Sequence, residues 1–214
     1  MKDIAIIGAG GFGKEVKMLI DNINKVKPTY NFLGFYDDGI ENGTIVNGYP
    51  ILGGVKDINS ITKELGIVTA IGNPKLKATL LNQLNSNLVS FPTLIHPNVI
   101  IGGDNVKIGQ GCIICANNVI TVDINIGNHV ILNLSCTVGH DTTIQDYCSF
   151  MPSVNISGEV LIEEGVYVGT GAKIINLLKI GEWTTVGAGA VVAKSLPEKC
   201  TAVGIPAKPI KFHN

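Results

Sequence analysis

The sequence predicts an α/β unit over residues 1–90, a parallel β-helix over residues 91–200 and a short tail over 201–214. Three observations carry that reading. From Ile108 to Val192 every sixth residue is apolar, fifteen in succession with no break in phase. Neither a helix (3.6) nor an ordinary strand (2) has that period, whereas stacked hexapeptide coils do. Ahead of it, short apolar strands alternate with amphipathic helices, the pattern of a small parallel sheet. Only 15% of residues are charged, while Gly occurs 26 times and Asn 20. Both residue types tolerate positive φ, so the composition describes short apolar walls joined by many tight corners.

In the first unit, Asp3–Ile7 reads as a strand running into Gly8-Ala9-Gly10-Gly11-Phe12-Gly13. A helix is predicted from about Lys14 to Lys25, with Val16, Leu19, Ile20 and Ile23 on one face, closed by Pro28. Phe32–Tyr36 forms a second strand ending in Asp37-Asp38, and residues 49–65 read as loop and short helix. Ile67–Ile71 is a third strand ending at Gly72-Asn73-Pro74, from which a helix is expected to reach Leu84.

In the β-helix, three hexads make one triangular coil, so residues 18 apart stack at about 4.8 Å. Residues 108–197 then supply five coils, with about one more before them, and the phase allows no loop excursion. Gly often follows the inward apolar residue, as at 109, 127, 139, 169, 181 and 187. A prism of this kind has no complete pocket of its own.

Charge and cysteine use exclude several classes. A formal net charge of −1 offers no broad basic surface for nucleic acid. No run approaches 18 apolar residues, and the N-terminus lacks the pattern of a secretory signal. Five cysteines, an odd number, read as free thiols in a reducing cytoplasm. Cys112-x-x-Cys115 leaves a redox or zinc pair open, but no second pair follows at zinc-ribbon spacing, and no metal is expected.

Two constellations carry chemistry. His140-Asp141 joins an imidazole, the commonest general base, to a carboxylate that can orient it, although the pair also suits an ordinary turn. Gly158 stacks 18 residues after His140, where its N–H could face a developing oxyanion. The other is Gly8-x-Gly10-x-x-Gly13 between strand and helix, with Asp37 beyond it, which is the dinucleotide fingerprint of a Rossmann-like unit. Alone it predicts NAD. Ninety residues hold only one mononucleotide half, which argues against a dehydrogenase.

The chain resembles the hexapeptide-repeat acyltransferases of the nucleotide-sugar branch, which includes sialic-acid O-acetyltransferase-like proteins and enzymes that N-acetylate UDP-linked 4-amino sugars. The likeness rests on Gly8-Ala9-Gly10-Gly11, Phe35–Asp38, Ile71-Gly72-Asn73, Ile95-His96-Pro97, Gly139-His140-Asp141, the hexads and Val203–Lys208, in that order. It implies a left-handed β-helix, a homotrimer and acetyl-CoA as cosubstrate. By the resemblance His140 is the general base, Asp141 assists it, and Gly158 supplies the oxyanion hydrogen bond. Ser149, Thr170 and Ala188 match acetyl-CoA contacts, the Ser149 position being a histidine in some relatives. Ala9, Gly10, Gly11, Asp37, Asp38 and Gly72 match nucleotide-sugar contacts. Phe12 departs from the histidine that UDP-sugar relatives often carry. The implied reaction is N-acetylation of the 4-amino group of a nucleotide-linked amino-deoxy sugar, UDP favoured, for surface glycan or polysaccharide synthesis. Sugar O-acetylation, a non-catalytic nucleotide-sugar-binding scaffold, and a metal hydratase on the same fold are the alternatives. The hydratase needs three histidines, and His129 and His140 lie eleven apart.

Overall fold

A computed structural model describes residues 1–213. Strand β1 (Lys2–Ile7) leads into helix α1 (Gly11–Val26), which buries Gly13, Val16, Leu19 and Ile20 against the sheet. The helix begins three residues before the sequence suggested, because Gly10 supplies an extended N-cap without a side chain and Gly11 enters the first turn. Then come β2 (Tyr30–Tyr36), β3 (Ile45–Val46), β4 (Tyr49–Gly53), β5 (Leu65–Thr69), α2 (Pro74–Leu81) and β6 (Val89–Ser90). The sheet order is β3-β4-β2-β1-β5-β6, parallel except for the β3–β4 hairpin. Strand β4 replaces part of an expected loop: pairing with β2 puts Ile51 opposite Phe35, and both are fully buried. Local propensity does not register that long-range pairing. Helix α2 starts as expected, with Asn73 capping the Leu76 N–H, but stops at Leu81 rather than Leu84.

The rest is a parallel solenoid with three faces, consistent with the left-handed β-helix of the acetyltransferases. The first face runs from Leu94–Ile95 to Cys200–Val203 and ends on an antiparallel strand, Lys208–Phe212. The second runs from Ile100–Ile101 to Val191–Val192, and the third from Val106–Ile108 to Lys179–Ile180. Of the fifteen residues in the six-residue register, all but the partly buried Ile108 are buried in the lumen.

The spacing of 18 holds from Val106↔Ile124 to Ile174↔Val192. Outside that span it changes. The first coil has one extra residue, Leu94 pairing with Ile113, and the last is two short, Ile180 bridging Leu196. An unbroken phase to residue 197 is thus corrected. Six residues after Val192 comes Glu198, whose carboxylate would cost too much to bury unpaired, and Leu196 takes the lumen place instead.

The α/β unit sits on the first face. There Leu94, Ile113 and Ile131 turn outward into a core shared with Ile4, Phe35 and Leu19. The face's next outward residue is Ser149, and over it lies α2, whose Lys77 is fully buried.

Candidate functional site

His140 follows the second-face strand Thr137–Val138 and precedes the third-face strand Thr143–Ile144, so it stands at the vertex between those faces. Its Nδ1 is 2.7 Å from Asp141 Oδ2, and both side chains are 57% exposed. A carboxylate can only accept, so Nδ1 carries the proton and Nε2 presents its lone pair. The backbone fixes the pair: Glu159 N–H donates to the His140 carbonyl, and Asp141 N–H to that of Val122. Asp141 adopts φ 55°, which turns its side chain back beside the ring.

Gly158 lies against that ring. A Cβ on it would stand 2.5 Å from His140 Nε2 and Cε1, so no larger residue fits. Among the described residues neither His140 Nε2 nor the Gly158 N–H has a hydrogen-bond partner. An available base and an available donor therefore meet on one open vertex. That is the arrangement needed to take a proton from a nucleophile while holding a tetrahedral oxyanion.

At the glycine loop, Gly13 packs so tightly that a Cβ would approach the Gly8 carbonyl oxygen to 2.0 Å. Cβ atoms on Gly10 or Gly11 would meet nothing within 4 Å, so this stretch is open to a ligand. No side chain caps α1 and no acid occupies its first turn, which leaves its leading N–H groups to favour an anion. Asp37 receives the N–H of Ala9 at 2.8 Å and of Gly39 at 2.9 Å, while Asp38 receives that of Val55 at 2.8 Å. Both carboxylates thus tie loops around the crevice. Gly72 lies beyond β5 on the other side of β1, so the crevice falls where the strand order reverses, the usual ligand position in such sheets.

Thr170 and Ala188 are exposed one above the other at the vertex between the first and second faces, joined by Gly189 N–H to the Thr170 carbonyl at 2.8 Å. Ser149 is not brought there. It is fully buried on the first face, and its hydroxyl accepts from Lys77 Nζ at 3.0 Å. Its side chain serves the seam between the two parts of the chain rather than an open groove.

Sequence reasoning missed Lys77. Burial pushes its ammonium down to about 7, and its hydrogen-bond partners are the Ser149 hydroxyl and, at 3.4 Å, the Cys148 carbonyl. The available signal was the pair of outward isoleucines, Ile113 and Ile131, which mark a face covered by another body. His129 stacks on Tyr147 at 5.7 Å with Phe91 edge-on, and burial together with the Lys77 charge lowers it to about 4. His96 meets Asn98 and Asn22, and His213 meets the Thr201 hydroxyl. Cys112 faces the lumen while Cys115 belongs to the shared core, and burial raises their thiols to about 11 and about 12. These two do not form a pair. Among the described residues no three metal-ligating side chains come together, and no helix is long and apolar enough to cross a membrane.

Residues 3–84 match the family model of the PglD N-terminal domain. GDP-perosamine N-acetyltransferase of Escherichia coli O157:H7 is 31% identical over 169 residues, covering 79% of this chain and 76% of that protein. The chain belongs to the nucleotide-sugar acetyltransferases built on hexapeptide repeats. Solved members of this family share the whole architecture. The acetyltransferase domain of PglB from Neisseria gonorrhoeae, in complex with acetyl coenzyme A, superposes with a TM-score of 0.87 at 32% identity, covering 98% of this chain and 99% of that one. A mutant of perosamine N-acetyltransferase from Caulobacter crescentus, in complex with CoA and GDP-perosamine, gives 0.86 at 28% identity, covering 99% and 98%. The fold expected from the sequence, an α/β unit followed by a left-handed β-helix, is that of this family.

Proposed function

We propose that this chain transfers the acetyl group of acetyl-CoA to the 4-amino group of a nucleotide-linked amino-deoxy sugar. The observation that carries the reading is the His140 ring, oriented by Asp141 and seated on the Gly158 backbone. The amine lone pair attacks the thioester carbonyl, and His140 Nε2 takes the proton that the nitrogen gives up. The Gly158 N–H donates to the oxyanion; its collapse breaks the C–S bond, and His140 returns the proton to the leaving thiolate. No covalent enzyme intermediate is needed. An amine rather than a hydroxyl acceptor is favoured because the perosamine enzymes, which match 79% and 99% of this chain, are N-acetyltransferases.

Residues 1–90 would hold the nucleotide-sugar, with pyrophosphate on the α1 N-terminus at Ala9, Gly10 and Gly11 and the nucleoside beside Asp37 and Asp38. Residues 91–200 would hold acetyl-CoA along Thr170 and Ala188. These sites lie apart within one chain. The α/β unit covers the first face, while His140 occupies the vertex opposite it. A homotrimer in which each vertex meets a different vertex of its neighbour brings them together.

The test is a panel of UDP-, dTDP- and GDP-linked 4-amino sugars and their hydroxyl counterparts, assayed with acetyl-CoA for thiol release. Turnover of an amino sugar, UDP-linked or GDP-linked, is expected. Turnover of the hydroxy sugars alone would replace the reading with O-acetylation, and nucleotide-sugar binding with no thiol release would leave a scaffold.

A further inference from the structure

Helix α2 carries a charged side chain into the seam between the two parts of the chain. Lys77 is 1% exposed, and its Nζ donates to the Ser149 hydroxyl at 3.0 Å and to the Cys148 carbonyl at 3.4 Å. Both acceptors are neutral, and among the described residues no carboxylate pairs with it. A buried ammonium without a counter-ion is costly, whereas a neutral amine with a hydrogen bond is not. The groups that face it from the solenoid stay uncharged between pH 7 and 9. Burial raises the Cys112 and Cys148 thiols to about 11 and about 12, and lowers His129 to about 4. Tyr147, in the corner before Ser149, is raised by burial as well. Asp146, in the same corner, accepts from the Asn128 N–H at 2.7 Å and from its side-chain amide at 3.1 Å. On α2 itself, Lys75 is exposed.

Lys77 lies one helical turn from the nucleotide crevice. Its N–H donates to the Asn73 carbonyl at 2.9 Å, and the Asn73 side chain caps Leu76 at 3.0 Å, so Lys77 and the Gly72–Asn73 corner move as one piece. Gly72 in turn faces the solenoid: a Cβ on it would stand 3.7 Å from Met151 Cε. Whether Lys77 stays seated therefore sets the gap between the Gly72 wall and the first face. The other buried residues of this eight-residue helix, Pro74, Leu80 and Leu81, are apolar. Of the four, Lys77 alone has a fit that depends on a proton.

We propose that Lys77 is a proton-sensitive latch: as a neutral amine it holds α2 and the Gly72–Asn73 corner against the solenoid, and on taking a proton from solvent it releases them and weakens nucleotide-sugar binding. The link to binding rests on the functional reading above. Lys77 titrates at about 7 when seated and at the ordinary 10.5 in water, so between those values the released state carries the extra proton. Seating then weakens by up to about tenfold per pH unit as pH falls, and levels off below about pH 7. Trp183, the single tryptophan, borders a hollow with Ala78, Thr79 and Asn82 of α2, so its emission reports on the helix. In the ligand-free protein that emission should change between pH 9 and 7, and Lys77→Met should abolish the change. His213, which shares a cleft with Trp183, is present in both proteins, so the difference isolates Lys77. Ser149→Ala removes an acceptor of the ammonium and should enlarge the change. Over the same range, calorimetric Kd for the amino-sugar nucleotide that is turned over should weaken about tenfold more in the native chain than in Lys77→Met, with Kd for CoA equal in both. Emission that titrates identically in the two proteins, or a Kd ratio that stays flat, overturns the latch and leaves the function standing. If no sugar nucleotide is acetylated, the functional reading and the link to binding fall, and the emission titration alone decides whether Lys77 releases the helix.

Discussion

At the scale of single residues, His140, Asp141 and Gly158 are in direct contact. Their contact was legible because coil stacking converts a sequence interval of 18 into adjacency. His140→Ala should reduce turnover about 10²-fold or more with CoA affinity unchanged, as measured by steady-state rates and calorimetry. Gly158→Ala should do comparable harm for a steric reason, since its Cβ would occupy the space of the His140 ring. Lys77 could not have been found this way, because only docking of α2 on Ser149 removes it from water. Its folded pKa, about 7, lies far below the ordinary lysine value of 10.5. Between those pH values the unfolded chain binds more protons than the folded one, so stability should rise with pH across that window. Lys77→Met should flatten the rise, as read from urea midpoints between pH 7 and 10. His129 has the same sign lower down: burial lowers its pKa from the ordinary 6.5 to about 4, which costs stability as pH falls through that range.

At the scale of elements, the corners of the solenoid explain the composition only in part. Every sixth residue from 105 to 189 has positive φ, but just four of these are Gly and two are Asn. The others include Asp123, His129, Tyr147, Leu177 and Trp183. Lumen packing and the ladder hydrogen bonds hold these corners against a local preference that disfavours such residues. Ile162, fully buried in the lumen, is therefore a sensitive point, and Ile162→Ala should cost about 2–5 kcal/mol of stability in denaturant unfolding. In the α/β unit, Asp37→Ala would release the N–H groups of Ala9 and Gly39 and loosen the glycine loop. KM for the nucleotide-sugar should rise while KM for acetyl-CoA stays constant.

At the scale of the whole molecule, the proposed reaction runs between chains, because the α/β unit covers the first face and His140 stands at the opposite vertex. A His140→Ala chain and a chain with its nucleotide loop blocked by Gly10→Trp should each be inactive alone. Refolded together they should regain activity, because some interfaces then combine one intact nucleotide site with one intact His140. No recovery in verified mixed oligomers would sink the inter-chain arrangement.

The sequence by itself determined the lumen register, the stacking of Gly158 on His140 and the glycine-loop crevice. Each depends on a fixed interval along one chain: six residues per face, 18 per coil, or one strand-to-helix turn. Only the tertiary structure decided which face the α/β unit covers, that Ser149 is sealed beneath Lys77, and that Glu198 yields its place to Leu196. Those outcomes depend on which surfaces lose water when two bodies meet, and on the cost of burying a charge. No interval in the sequence encodes either.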